Sequence, residues 1–225
     1  MTPPRRNPAT AALSGIASGV QAYGVWAGYR QLFVRFAGEA ETATMYTPET
    51  MIRHMERALE RSRPHSISLA GRDPLVGVNF LLATFQQKPP PLPVMLDADV
   101  ARPEAVPELA FALSMVQVTI DFGAPSASSD RALEMLAAAA QAKLEHALVL
   151  PLREGIADQV ILRLIEQARA VSVGTKIVVH PLPGEEKRGL DRRYASLLEQ
   201  AASVHPAVRL TLPVPSPIGG RCPAQ

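Results

Sequence analysis

The 225-residue chain is poor in thiols: it holds one cysteine, Cys222, near its end in a Gly/Pro-rich stretch. A lone thiol cannot close an intramolecular disulfide, and it cannot hold an iron–sulfur cluster that needs three or four thiolates. Cys222 reads as an exposed tail thiol. Charge of one sign is also missing, with 23 Lys and Arg against 21 Asp and Glu. A net charge of +2 gives no reason to expect nucleic acid or a membrane surface as a partner. Pro, Arg or Gln interrupts every apolar stretch before it reaches the length of a membrane span. The five histidines, His54, His65, His146, His180 and His205, show no HxH or HExxH spacing, so nothing points to a zinc hydrolase. Walker A, GxGxxG and GxSxG sequences are absent too. Residues 1–12 carry two arginines without the apolar block of a signal peptide, which reads as a disordered start to a cytoplasmic protein.

What is present is an ordinary globular composition, 47% hydrophobic and 20% charged. The length supports one sizeable core. The expected division is a disordered segment over 1–13, a single domain over 14–215 and a flexible tail over 216–225. Ser14–Gly24 is Gly/Ser-rich and reads as a strand or loop at the edge of the sheet. Gln31–Ala37 is a strand with Phe33 and Val34 buried, Gly38–Tyr46 a polar loop, and Pro48–Arg61 a helix with apolar residues at Met51, Ile52, Met55 and Leu59. Further strands are expected over 66–70, 93–96, 115–121, 146–150, 175–179 and 208–212. Between them lie helices over 76–87, 104–113, 130–143, 156–170 and 191–202. From Gln31 onward strand and helix alternate without a hairpin signal, which argues for βα units and a parallel sheet. Six or seven repeats are too few for an eight-fold barrel, so the expected fold is α/β, a partial barrel or strongly curved open sheet.

In such a fold chemistry sits on loops at the carboxyl ends of the strands. Their polar residues include Glu39, Glu41, Arg72, Asp73, Asp97, Asp99, Asp121, Arg153, Glu154, His180, Glu185 and Glu186. Glu39 and Glu41, two apart in an extended loop, can point the same way and clamp a cation, or simply be a solvated acidic loop. Asp97 and Asp121 can bind a cation or a basic ligand, or cap the helices that follow. His180 can serve as an acid–base group or hydrogen-bond at the strand end.

Two stretches carry a resemblance. Gly28–Gly38, GYRQLFVRFAG, closely resembles the segment before the iron–sulfur loop of radical S-adenosylmethionine (SAM) enzymes, above all the 7-carboxy-7-deazaguanine synthases. Residues 65–75, HSISLAGRDPL, are similar to that family's strand followed by Thr-Gly-Gly-Glu-Pro-Leu. Gln21 and Gly24 match the first and last members of its Gln-Gly-Glu-Gly. The resemblance runs diffusely to Leu212 and implies a partial (β/α)6 barrel. It also implies a SAM-like pocket around Gly71, Asp73, Pro74, Asp97 and Asp121, substrate-side contacts from Gln21 and Arg35, and a homodimer.

The departures are as specific as the matches. Where the family's CxxxCxxC cysteines stand, this chain has Glu39, Ala43 and Tyr46, and Arg72 replaces the second glycine before the carboxylate. The expectation is a protein without a [4Fe-4S] cluster, degenerate in radical chemistry, that binds a small molecule or acts as a partner subunit. Two alternatives stand beside it. One is an active lyase of queuosine or deazapurine biosynthesis, which would need cysteines from another chain or wholly different ligands. The other is a divalent-metal barrel enzyme using Glu39, Asp73, Asp97 and Asp121.

Overall fold

The computed structural model describes residues 9–39, 41–98, 102–123, 126–153, 155–182 and 191–211. Nine strands form one sheet: β1 (Ala11–Val20), β2 (Arg30–Phe36), β3 (Thr44–Tyr46), β4 (Ser66–Gly71), β5 (Val94–Ala98), β6 (Met115–Thr119), β7 (Glu145–Leu152), β8 (Lys176–Pro181) and β9 (Val208–Leu210). The helices are α1 (Pro48–Arg61), α2 (Val78–Gln87), α3 (Val106–Leu109), α4 (Ser126–Gln141), α5 (Asp158–Val171) and α6 (Asp191–Val204). Among the described residues no helix is long and apolar enough to cross a membrane.

The strand order is β3-β1-β2-β4-β5-β6-β7-β8-β9, and from β2 to β9 every pairing is parallel. This is the expected α/β architecture with a mostly parallel sheet. The order never reverses along the parallel part. Right-handed crossovers then place every helix on the same face. Alternation within the strands agrees: Leu32, Val34, Ile67, Leu69, Leu96, Val116, Leu148 and Ile177 are fully buried in one core with Met51, Phe80, Phe85, Leu136 and Ile165 from the helices. The residues between them face the other way and meet a second, smaller cluster.

Local signals set the boundaries. Thr47 caps α1, its hydroxyl accepting from Thr50 N while the Thr50 hydroxyl accepts from Thr47 N, and Pro48 supplies the first helical residue. β5 and β6 are buried at every position, as the interior strands of a covered parallel sheet must be.

Several sequence expectations shift. The disordered start expected over 1–13 gives way within residues 11–13, which pair with Tyr46, Met45 and Thr44 in β3. Residues 1–8, the tail over 216–225 and Cys222 lie outside the described residues. The polar loop expected over Gly38–Tyr46 ends in β3, and β1 with β2 forms an antiparallel hairpin that carried no two-residue turn signal. The helix expected over 104–113 is a short 3₁₀ turn, Pro103–Ala105, followed by one turn of α-helix in α3, since Pro107 withholds a backbone donor. α4 begins at Ser126, inside the expected loop.

Candidate functional site

The inner face of the sheet is where polar side chains gather. Asp97 lies within β5, on the face away from the helices, beside Gln117 of β6. It is 4% exposed, and burial pushes its carboxyl above the ordinary carboxylate range although three donors pull the other way. Gln117 Nε2 donates to Oδ1 at 2.9 Å, Tyr23 Oη donates to Oδ2 at 2.8 Å, and Gln21 Nε2 donates to Oδ2 at 3.3 Å.

Gln21 and Tyr23 belong to the β1–β2 connection, residues 21–29. This loop folds back on itself, with Gln21 N donating to Tyr29 O and Gly28 N to Gln21 O. Its tip lies against the sheet. Val25 N donates to Gln117 Oε1 at 2.9 Å, and the Arg209 guanidinium of β9 donates to the carbonyls of Gly24, at 2.9 Å, and Val25. Ala22, Tyr23 and Val25 pack with Met95, Met115, Ala147, Val149, Val178 and Leu182. Gly24 has φ +82°, and a Cβ there would sit 1.9 Å from Gln117 Oε1, so only glycine fits.

These contacts fix the curvature of the sheet. From β2 to β9 a flat sheet would span six strand spacings, about 29 Å. The loop tip reaches at most about 14 Å from its base, four residues at full extension. An arginine side chain does not bridge the remainder, so the parallel strands bend around the loop.

The expected SAM-like residues separate. Asp97 is a strand residue wrapped by donors, not a loop carboxylate or a helix cap. Asp121 is exposed, and its Oδ1 accepts from Gly123 N at 2.8 Å, a turn contact. Gly71 has φ +112°, and a Cβ there would fall 2.1 Å from Phe36 O, so this glycine is required by the neighbouring strand rather than by a ligand. Pro74 is buried and opens a 3₁₀ turn. Asp73 Oδ2 accepts from both Nε and Nη2 of Arg102 at 2.8 Å, while its buried Oδ1 has no hydrogen-bond partner among the described residues.

Gln21 and Arg35, expected on the substrate side, do approach the Asp97 network: Gln21 by a direct hydrogen bond, and Arg35 as a cation whose field favours the ionised carboxylate. Arg35 stays exposed, 5.2 Å above the Phe33 ring. Glu39 and Glu41 are both exposed, and Glu41 Oε2 accepts from Gly38 N at 3.3 Å, closing the turn on itself. Among the described residues no three of His, Cys, Asp and Glu gather as a metal site. His180 is buried, with Nδ1 3.1 Å from Thr211 Oγ1, and burial lowers its pKa. Asp99, Glu154, Glu185 and Glu186 lie outside the described residues.

Sequence reasoning missed Tyr23, Gln117 and Arg209. A glutamine interrupting the otherwise apolar and β-branched MVQVT was the available signal for Gln117, since a buried amide in such a strand needs partners. No family model matches the chain, and no curated protein matches it either.

Proposed function

We propose that this chain is a cluster-free relative of the 7-carboxy-7-deazaguanine synthases, on a partial (β/α)6 barrel of radical SAM type, that binds a small molecule without radical chemistry. The observation that carries this reading is the fate of the three positions matching the cluster cysteines. Glu39 sits in the turn after β2. Ala43 precedes β3, and Tyr46 is held in the β3–β1 ladder opposite Ala11, its ring 5.2 Å from His54. None carries a thiol, and one is built into the sheet. These residues do not fit a [4Fe-4S] cluster, so no electron-transfer step follows from them.

The ligand side is better supported. Asp73 Oδ1 is a buried acceptor with spare capacity at the carboxyl end of the parallel strands, the kind of group that takes an ammonium. S-adenosylmethionine, or another amine-bearing small molecule, suits it. When bound there, such a molecule would be held by Asp73 with Arg102 as its counter-charge, and it would stay intact for want of a reductant. Arg72, in place of a glycine, adds an exposed cation at that edge and favours a ligand that also carries an anionic group. A partner subunit that uses the same pocket is consistent with this reading.

The test is calorimetric titration of the purified protein with S-adenosylmethionine, together with iron and sulfide analysis after anaerobic reconstitution. Micromolar binding lost in Asp73→Ala, with no stoichiometric iron, is the expected result. Stoichiometric iron and sulfide would restore the lyase alternative. Binding of a divalent metal at the acidic residues would favour the metal-dependent enzyme.

A further inference from the structure

The Asp97 network divides into a half that cannot change and a half that can. Val25 N–H is a backbone donor, so the Gln117 amide must present Oε1 to it. That orientation sends Gln117 Nε2 to Asp97 Oδ1, which is then always an acceptor. Oδ2 is different. Its partners are the Tyr23 hydroxyl, which can turn from donor to acceptor, and the Gln21 amide, which can rotate to offer its oxygen. A proton on Asp97 therefore has one place to go, Oδ2, and its arrival rearranges only the contacts to the 21–29 loop.

We propose that Asp97 is a proton-operated latch for the Gln21–Tyr29 loop. Its acid form gives the Oδ2 proton to Tyr23 or Gln21 and keeps the loop seated, and its ionisation in that buried place loosens the same side while Gln117 and Val25 hold.

Three further features support this. Burial disfavours the charged form of Asp97, which brings its protonation out of the ordinary carboxylate range. Beyond its apolar packing, the loop is also held by Val25 N on Gln117, by Arg209 on two carbonyls and by its own closing hydrogen bonds. Gly24 and Gly28 both have positive φ, +82° and +85°, so left-handed turns bracket the loop's tip. The charged and titratable groups facing the latch are Arg35 from β2, which favours the carboxylate, His180 from β8, whose ring lies 5.6 Å from that of Tyr23, and Arg209 from β9. His65, just before β4, packs against Trp26 and Tyr29 at 5.1 and 4.3 Å between ring centroids.

Trp26 is the sole tryptophan of the chain and lies in this loop, so intrinsic fluorescence reads the loop directly. The experiment follows Trp26 emission from pH 4 to 8 alongside ¹³C-carboxyl NMR of Asp97. The latch requires one emission transition whose midpoint coincides with the Asp97 titration. It must vanish in Asp97→Asn and persist in His65→Gln, which removes the other titrating group beside Trp26. Gln21→Met takes one donor from the carboxylate and should move the midpoint up by about one unit, the worth of one charge-assisted hydrogen bond. This variant keeps the test decisive should Asp97→Asn fail to fold. A transition that survives in Asp97→Asn, one that tracks His65 instead, a midpoint unmoved in Gln21→Met, or a carboxyl titration with silent emission would each overturn the proposal.

Discussion

The two faces of the sheet are held by different physics. Toward the helices, contact is between aliphatic side chains, non-directional and replaceable by other side chains of similar volume. Toward the interior, a nine-residue loop is fastened by directed hydrogen bonds to Asp97, Gln117 and Arg209, set among a few apolar contacts. The first face tolerates change in kind but not in size. The second tolerates neither at Asp97, Gln117 and Arg209, because each is the specified partner of a group on the loop.

The sharpest way to break this comparison is Gln117→Leu, similar in volume but without an amide. It strands Val25 N–H and takes a donor from a buried carboxylate, and it should lower stability by about 3–5 kcal/mol. On the outer face, Leu148→Ala at a fully buried position should cost about 3 kcal/mol through lost contact and the cavity left behind. Both are read from urea unfolding midpoints. The two faces are equivalent should Gln117→Leu prove milder than the leucine truncation. Arg209→Met comes next, at about 1–2 kcal/mol, since its guanidinium is partly open to water yet binds two carbonyls.

Dependence on pH sharpens the comparison without cutting a contact. The folded pKa of Asp97 is raised, so the native state holds the proton longer than the unfolded chain. Its contribution to stability is full below the ordinary carboxylate value and is lost as pH rises through the folded value. His180 works in the opposite sense: its pKa is lowered by burial, so its contribution is lost as pH falls through its unfolded value of about 6.5 toward the folded one. Unfolding midpoints across pH 4–8 should therefore lose their downward slope with rising pH in Asp97→Asn, and part of their acid decline in His180→Gln. The smallest effect belongs to the surface pair of Lys88 and Glu56, both about half exposed, where Glu56→Gln should change stability by no more than about 0.5 kcal/mol.

Legibility in the sequence follows the same division. The helix-facing core announces itself by period, in Met51 and Met55 along α1 and in the mostly apolar β5 and β6, so the alternation of strand and helix from Pro48 onward could be read directly, while the short β3 before it was taken for loop. The inner face could not. Asp97 looked like a loop carboxylate because Asp-Ala-Asp resembles a strand end, whereas β5 extends through Ala98 and turns Asp97 inward. Gln21 was noticed for its neighbourhood, but its partner lies 76 residues away. Nothing in SGVQAYGVW marks a loop that folds into the middle of a sheet, because its anchors are scattered over β5, β6 and β9. Periodicity reports which face a residue uses, not which distant polar group waits there.

The contact between Arg209 and the carbonyls of Gly24 and Val25 joins positions 185 and 184 residues apart. On a ribosome adding about 5–20 residues per second, the loop emerges roughly 10–40 s before its last anchor is made. Through that interval the hairpin of β1 and β2 must wait with its polar tip unsatisfied while the intervening repeats assemble. Closure of the molecule is consequently a late event, a long-range step of the kind that slows folding. Truncation ahead of β9 should leave a chain that builds its outer layer yet never seats its first loop.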